Sequence, residues 1–141
     1  MKSSFLAILL LIGFQIISTS STAQSFKGQW KGESNGEIGT MSFDKKGYVA
    51  FIIDGEEVGG KEYVIEGVKM SMTYAYDESI EPHTLDFIIS MENEEITRML
   101  GIYKFIDKNT LVINMDFDGI ARPLEFGEDD KNQVTLKREK K

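Results

Sequence analysis

The side chains able to do chemistry are few in this sequence, and they are scattered. There is one histidine, His83, and no cysteine, so a thiol nucleophile is excluded and a histidine-rich zinc site cannot be assembled. His83 follows Pro82 in a loop-like stretch with no nucleophile elbow and no identifiable orienting acid. An exposed structural role is expected for it. Carboxylates recur as neighbours, at Glu56/Glu57, Glu94/Glu95 and Asp129/Asp130. Adjacent residues on a strand point to opposite faces, so such pairs read as solubilising charge and not as a general acid with its base. Asp116-x-Asp118-Gly119 begins like a calcium loop but lacks the downstream glutamate of an EF-hand. No catalytic residue, metal ligand or cofactor is therefore expected, and the chain does not read as an enzyme.

Two other groups could act on a ligand. Arg122-Pro123 has a structural reading, in which Pro123 sets the exit from a hairpin and Arg122 pairs with a loop carboxylate such as Glu125. Its functional reading has Arg122 guarding a barrel mouth against an anionic head-group. The structural reading is favoured. The stronger candidate is the stripe Met70, Met72, Tyr74 and Tyr76, which shares one face of a strand. Methionine adapts to irregular apolar shapes, and tyrosine adds a hydroxyl that can orient a ligand. With Phe51, Phe87, Met99, Tyr103 and Met115 it is the expected lining of a small cavity.

These residues need strands to position them. No window of 11 or more residues beyond the N-terminal run has a helical period. Short alternating segments recur instead, at Ile38–Phe43, Tyr48–Ile53, Glu62–Glu66, Val68–Tyr76, Leu85–Ser90, Ile96–Phe105, Leu111–Phe117 and Gln133–Arg138. Asx-Gly and Gly-containing turns separate many of them, and Val58-Gly59-Gly60 reads as a bulge or tight bend. Consecutive hairpins in one meander favour an all-β, antiparallel up-and-down barrel of eight or nine strands over a sandwich, because closure removes exposed edges. The barrel begins at Phe26-Lys27-Gly28-Gln29-Trp30-Lys31-Gly32, which holds the single tryptophan. Phe26, Gly28, Trp30 and Gly32 share one face. In the last strand Arg138 shares a face with Val134 and Leu136, where a cation needs a partner. Closure brings the two strands together, so Arg138 is expected to stack on Trp30 and hold the barrel shut.

The first 23 residues read as a leader outside this domain. Lys2 is followed by an apolar run from Phe5 to Ile17 and a small-residue tract ending at Ala23. That is the layout of a secretory signal peptide cut near Ala23, and the run is too short for a membrane span. Residues 24–141 are then one domain of 118 residues, large enough for a core without disulfides. Loss of Lys2 takes the formal charge from −7 to −8. So acidic a domain is a poor partner for nucleic acid or anionic lipid. An exported, periplasmic or extracellular monomer is expected.

Gly28-x-Trp30 on the first strand, with a basic residue ending the last, resembles the lipocalin and fatty-acid-binding (calycin) pattern. The run Gly101-Ile102-Tyr103, then Leu111, Arg122-Pro123-Leu124-Glu125-Phe126 and Leu136-Lys137-Arg138, resembles a bacterial lipocalin-like domain family abundant in planctomycetes. Residues 37–81 match it only in pattern. The resemblance implies a barrel fold and carries no activity. Two functions follow as expectations. One is a carrier that buries a small apolar molecule inside the barrel; the other is a filled barrel acting through its surface as an interaction or envelope-associated module. A void above roughly 300 Å³ lined by the methionine–tyrosine stripe would favour the first, and a solid core would sink it.

Overall fold

Residues two apart on a strand share a face, and most of the alternating segments in this chain carry one apolar set. The structure is a computed structural model and describes residues 25–34, 37–127 and 131–140. The leader expected over residues 1–23 and the Asp129/Asp130 pair lie outside the described residues. Ten strands form: β1 (Gly28–Ser34), β2 (Glu37–Phe43), β3 (Val49–Ile53), β4 (Glu56–Gly59), β5 (Tyr63–Ile65), β6 (Val68–Asp77), β7 (His83–Met91), β8 (Glu94–Asp107), β9 (Thr110–Asp116) and β10 (Gln133–Arg138). They build one antiparallel sheet in the order β4-β3-β2-β1-β10-β9-β8-β7-β6-β5, nearly closed into a barrel. Among the described residues there is no helix, and hence none long and apolar enough to cross a membrane.

The strand beyond the expected eight or nine is β4. The Asp54-Gly55 turn folds the chain back onto β3, pairing Phe51 with Val58 and Ile53 with Glu56. The chain then bends at Gly59-Gly60 and joins β6 as β5. Only glycine fits the elbow: Gly59 has φ +114°, and a Cβ there would lie 2.6 Å from the Val49 carbonyl oxygen. β4 and β5 are left as the two free edges of the sheet. A few backbone bonds draw that seam together. The Tyr74 N–H donates to the Gly47 carbonyl at 2.9 Å, the Met72 N–H donates to the Gly60 carbonyl at 2.8 Å, and Tyr48 bridges Thr73.

An antiparallel meander puts its connections alternately at two ends. One end carries the β2–β3, β4–β5, β6–β7 and β8–β9 connections together with residues 25–27 and the end of β10. The other carries the β3–β4, β5–β6, β7–β8 and β9–β10 connections. Between them the interior is filled by Trp30, Met41, Phe43, Val49, Met72, Leu85, Phe87, Met99, Tyr103, Leu111, Ile113, Met115 and Leu136, all buried.

The outer face of β7, β8 and β9 is covered as well. Asp86, Ile102, Val112 and Asn114 point away from the barrel interior and are nonetheless buried, because residues 117–127 run across them as a strap. Asp116 starts it: its carboxylate accepts the N–H groups of Asp118 (3.0 Å), Ile120 (3.1 Å) and Ala121 (2.7 Å). Those bonds, the Ala121 one foremost, hold its carboxyl below the usual range. The carboxylate that resembled a calcium ligand is therefore engaged in ordering the turn. Arg122 fastens the strap. Its guanidinium bonds to Asp86 (2.5 and 3.2 Å) and to the Gly101 carbonyl (2.8 Å), so its carboxylate partner is Asp86 and not Glu125. Glu125 contributes its backbone carbonyl, which accepts the Asn114 side-chain amide at 3.0 Å.

Arg98 also reaches Asp86, at 3.1 Å, and pairs with Glu95 at 2.8 Å. Burial alone would push the Asp86 carboxyl up. The hydrogen bonds and charges of Arg122 and Arg98 outweigh it, so the carboxyl sits below its ordinary range.

Candidate functional site: the open end of the barrel

The two ends differ in what meets the inward-facing rows. At the terminal end, Phe26 sits in the middle of an aromatic cluster, with ring centroids 4.8 Å from Tyr103, 5.0 Å from Tyr76, 5.2 Å from Phe105, 5.4 Å from Phe43 and 5.8 Å from Tyr74. The tilted and edge-on arrangements suit the ring quadrupoles. Trp30 lies above this cluster, fully buried, and its indole N–H donates to the Phe26 carbonyl at 2.7 Å. Arg138, its cross-strand partner, lies over the indole at 4.2 Å from the ring centroid. The guanidinium donates to the carbonyls of Ser25 (2.8 Å), Lys27 and Lys108 (3.1 Å). One side chain thus ties the segment before β1 to the β8–β9 turn. Gly28 makes room for it, with φ +130° and Arg138 Nη1 where a Cβ would intrude, at 2.9 Å. This end is sealed.

At the opposite end the same rows run out into solvent. Register assigns the faces: Met41 opposite Trp30 points inward, and therefore so do Phe51 opposite Met41, Val58 opposite Phe51, and Ile53 two residues beyond Phe51. Across the seam, Tyr63 opposite Met70 and Ile65 opposite Val68 share the face of buried Met72. Ile53, Val58, Ile65 and Val68 are nevertheless 37–48% exposed. Between the free edges β4 and β5 lies a groove of about 500 Å³, bounded by residues 57–65 and including Val58, Tyr63 and Ile65. Its volume falls in the range of small-molecule sites.

The nine residues expected to line a cavity divide into three groups. Met72, Phe87, Met99, Tyr103 and Met115 belong to the buried core and pack on one another's neighbours. Phe51 and Met70 are partly buried and lie toward the open end, one on each side of the seam. Tyr74 and Tyr76 belong to the sealed end; Tyr74 donates to the Asp44 carbonyl at 3.0 Å, and Tyr76 is half exposed against Phe26. None of the nine borders the groove. Burial raises the Tyr103 hydroxyl above the usual tyrosine range, reinforced by Glu78, Tyr76, Asp77 and Glu81. Tyr103 therefore stays neutral across the physiological range.

Val58, Ile65, Ile53 and Val68 did not stand out in the sequence. β4 and β5 are four and three residues long, too short for alternation to reveal a face. The available signal was Asp54-Gly55 and Glu66-Gly67, two Asx/Glx-Gly turns only 12 residues apart, which require two hairpins in that space. His83, the first residue of β7, bonds through Nδ1 to the Ile80 carbonyl at 2.8 Å and neighbours Glu81 at 3.4 Å, both in the loop before it at the sealed end. Comparison with known proteins found no matching family model, no matching curated protein and no matching solved structure.

Proposed function

We propose that this chain is an exported lipocalin-like carrier that takes a small, apolar-bodied molecule into the open end of its barrel. The observation that carries the reading is the asymmetry of the inward rows: aromatic rings and Arg138 seal one end, whereas Ile53, Val58, Ile65 and Val68 keep 37–48% of their surface exposed at the other. Apolar side chains on an inward face gain about 25 cal/mol per Å² when a ligand covers them. A ligand burying on the order of 200 Å² would gain about 5 kcal/mol before the costs of ordering it. That suits reversible carriage. The chemistry asked of the protein is burial and orientation, with no bond made or broken.

Native mass spectrometry of gently purified protein tests this, together with titration of an apolar fluorescent probe. A co-purifying mass, or saturable probe binding weakened by V58S/I65S, is expected. Bare protein with no probe response would overturn the reading.

The second reading is a filled barrel acting through its surface, and it rests on the strap. Ile120 and Leu124 are 83% and 82% exposed there, on the outside of the wall. Loss of a partner interaction in I120S/L124S, with probe binding unaltered, would favour that module.

A further inference from the structure

Three of the hairpins at the open apolar end carry one sign of charge. The β3–β4 hairpin presents Asp54, Glu56 and Glu57, the β5–β6 turn presents Glu66, and the β7–β8 hairpin presents Glu92 and Glu94. No lysine or arginine occurs in residues 53–58, 65–68 or 91–95. Two of these carboxylates face inward by register: Glu56 opposite Ile53, and Glu94 opposite Met91. The cations nearest in sequence are otherwise engaged, Arg98 with Asp86 and Glu95, and Lys69 with Glu62 at 3.6 Å on the outer wall. Lys61 borders the groove at its elbow and takes one unit from the acidic sum.

We infer that the open end selects a cationic amphiphile, meaning a small molecule with an apolar chain or ring system and an amine or quaternary ammonium head. This inference rests on the carrier reading and names its ligand class. The apolar body would lie against Val58, Ile65, Ile53 and Val68, and the head would stay at the rim among the carboxylates. Six exposed carboxylates on adjacent hairpins sum their fields over distances of about a Debye length, roughly 10 Å at 0.1 M salt. They attract a cation and repel a fatty-acid carboxylate. A second copy of the chain is a poor occupant, because face-to-face docking would oppose two acidic rims. An added β-strand is also disfavoured, since β4 and β5 are short and carry or adjoin charged residues, which is how sheet edges are protected from pairing.

The test uses three probes of equal chain length: decyltrimethylammonium, decyl glucoside and decanoate, titrated calorimetrically into the protein below their micelle concentrations. At low salt the ammonium is expected to bind about tenfold or more tightly than decanoate, with the glucoside between them. That preference should shrink in about 0.5 M salt. It should collapse in E56Q/E66Q/E94Q, while the glucoside affinity changes less than about twofold. All three residues are exposed, so the variant should fold, and an unchanged melting temperature checks this. Equal binding of all three probes would overturn the charge selection and leave the carrier reading standing. Absence of binding by every probe would overturn both. A dimer in native mass spectra of the wild type, dissociated by V58S/I65S, would replace the small molecule with a second copy.

Discussion

At the sealed end five aromatic rings surround Phe26, and Arg138 lies over Trp30; at the open end aliphatic side chains from the same inward-facing rows remain about two-fifths exposed. Both ends are built from alternating strands with similar turns. The difference is the size of the side chains and the presence of a cap. Large rings touch one another at the first end, whereas Val58 and Ile65 border a groove and stay exposed at the second. Residues at the first end should thus govern stability, and residues at the second should govern binding with little effect on stability.

The largest break in this contrast should come from Trp30. W30A removes a fully buried indole and its hydrogen bond to Phe26, and should cost about 3–5 kcal/mol. A melting temperature lowered by less than a few degrees would show that the sealed end does not depend on the indole. R138A should cost less, about 2 kcal/mol, through the lost cation–π contact and the carbonyls of Ser25, Lys27 and Lys108 left without their donor. R138K should recover only part of the loss, because an ammonium cannot stack flat and reach those carbonyls together. An R138A melting temperature equal to that of the wild type would remove the closing pair from the account.

Asp86 sharpens the contrast from the outer wall. Its two arginine partners are 30% and 39% exposed, which discounts the pairing, so D86N should cost about 1–2 kcal/mol near neutral pH. The Asp86 carboxyl is lowered in the folded state. Its stabilisation is therefore present above the ordinary carboxylate pKa of about 3.9 and is lost as the pH falls through the lower folded value. Denaturant melts at several pH values should show the gap between wild type and D86N holding steady above about pH 5 and narrowing below about pH 4. A gap that widens in acid would reverse the assignment. The smallest change is expected from V58S/I65S, about 0.5 kcal/mol per site, because much of each side chain is already solvated. A loss as large as that of R138A would mean the open end is part of the core.

Much of the barrel was legible because its long strands display their period. Val68–Asp77 and His83–Met91 alternate over nine or ten residues, and Trp30 and Arg138 are the odd residues on their faces. Arg122 was legible as a structural residue but not by partner. Asp86 is 36 positions away, and one acidic residue on a strand resembles any other until the strap crosses it. The open end was hidden for a different reason: exposure depends on what stands opposite, and the opposing strands β4 and β5 are too short to show which way they face. Depth along the barrel axis is likewise absent from a period-two pattern. It separates Met72 in the core from Met70 near the rim and Tyr76 in the seal.

The Arg138 clamp also bears on the order in which the barrel can form. Most strand neighbours are joined by short local turns, but Ser25 and Arg138 are 113 positions apart. Bringing such distant segments together carries the largest closure entropy in the fold, and contacts of this span slow folding. The hairpins are therefore expected to assemble first, with β1 and β10 as two additional unpaired edges until the arginine arrives. An unpaired edge of that length is a template for other copies of the chain. A variant lacking the clamp should accordingly aggregate during refolding in proportion to protein concentration, even under conditions where its finished barrel is stable.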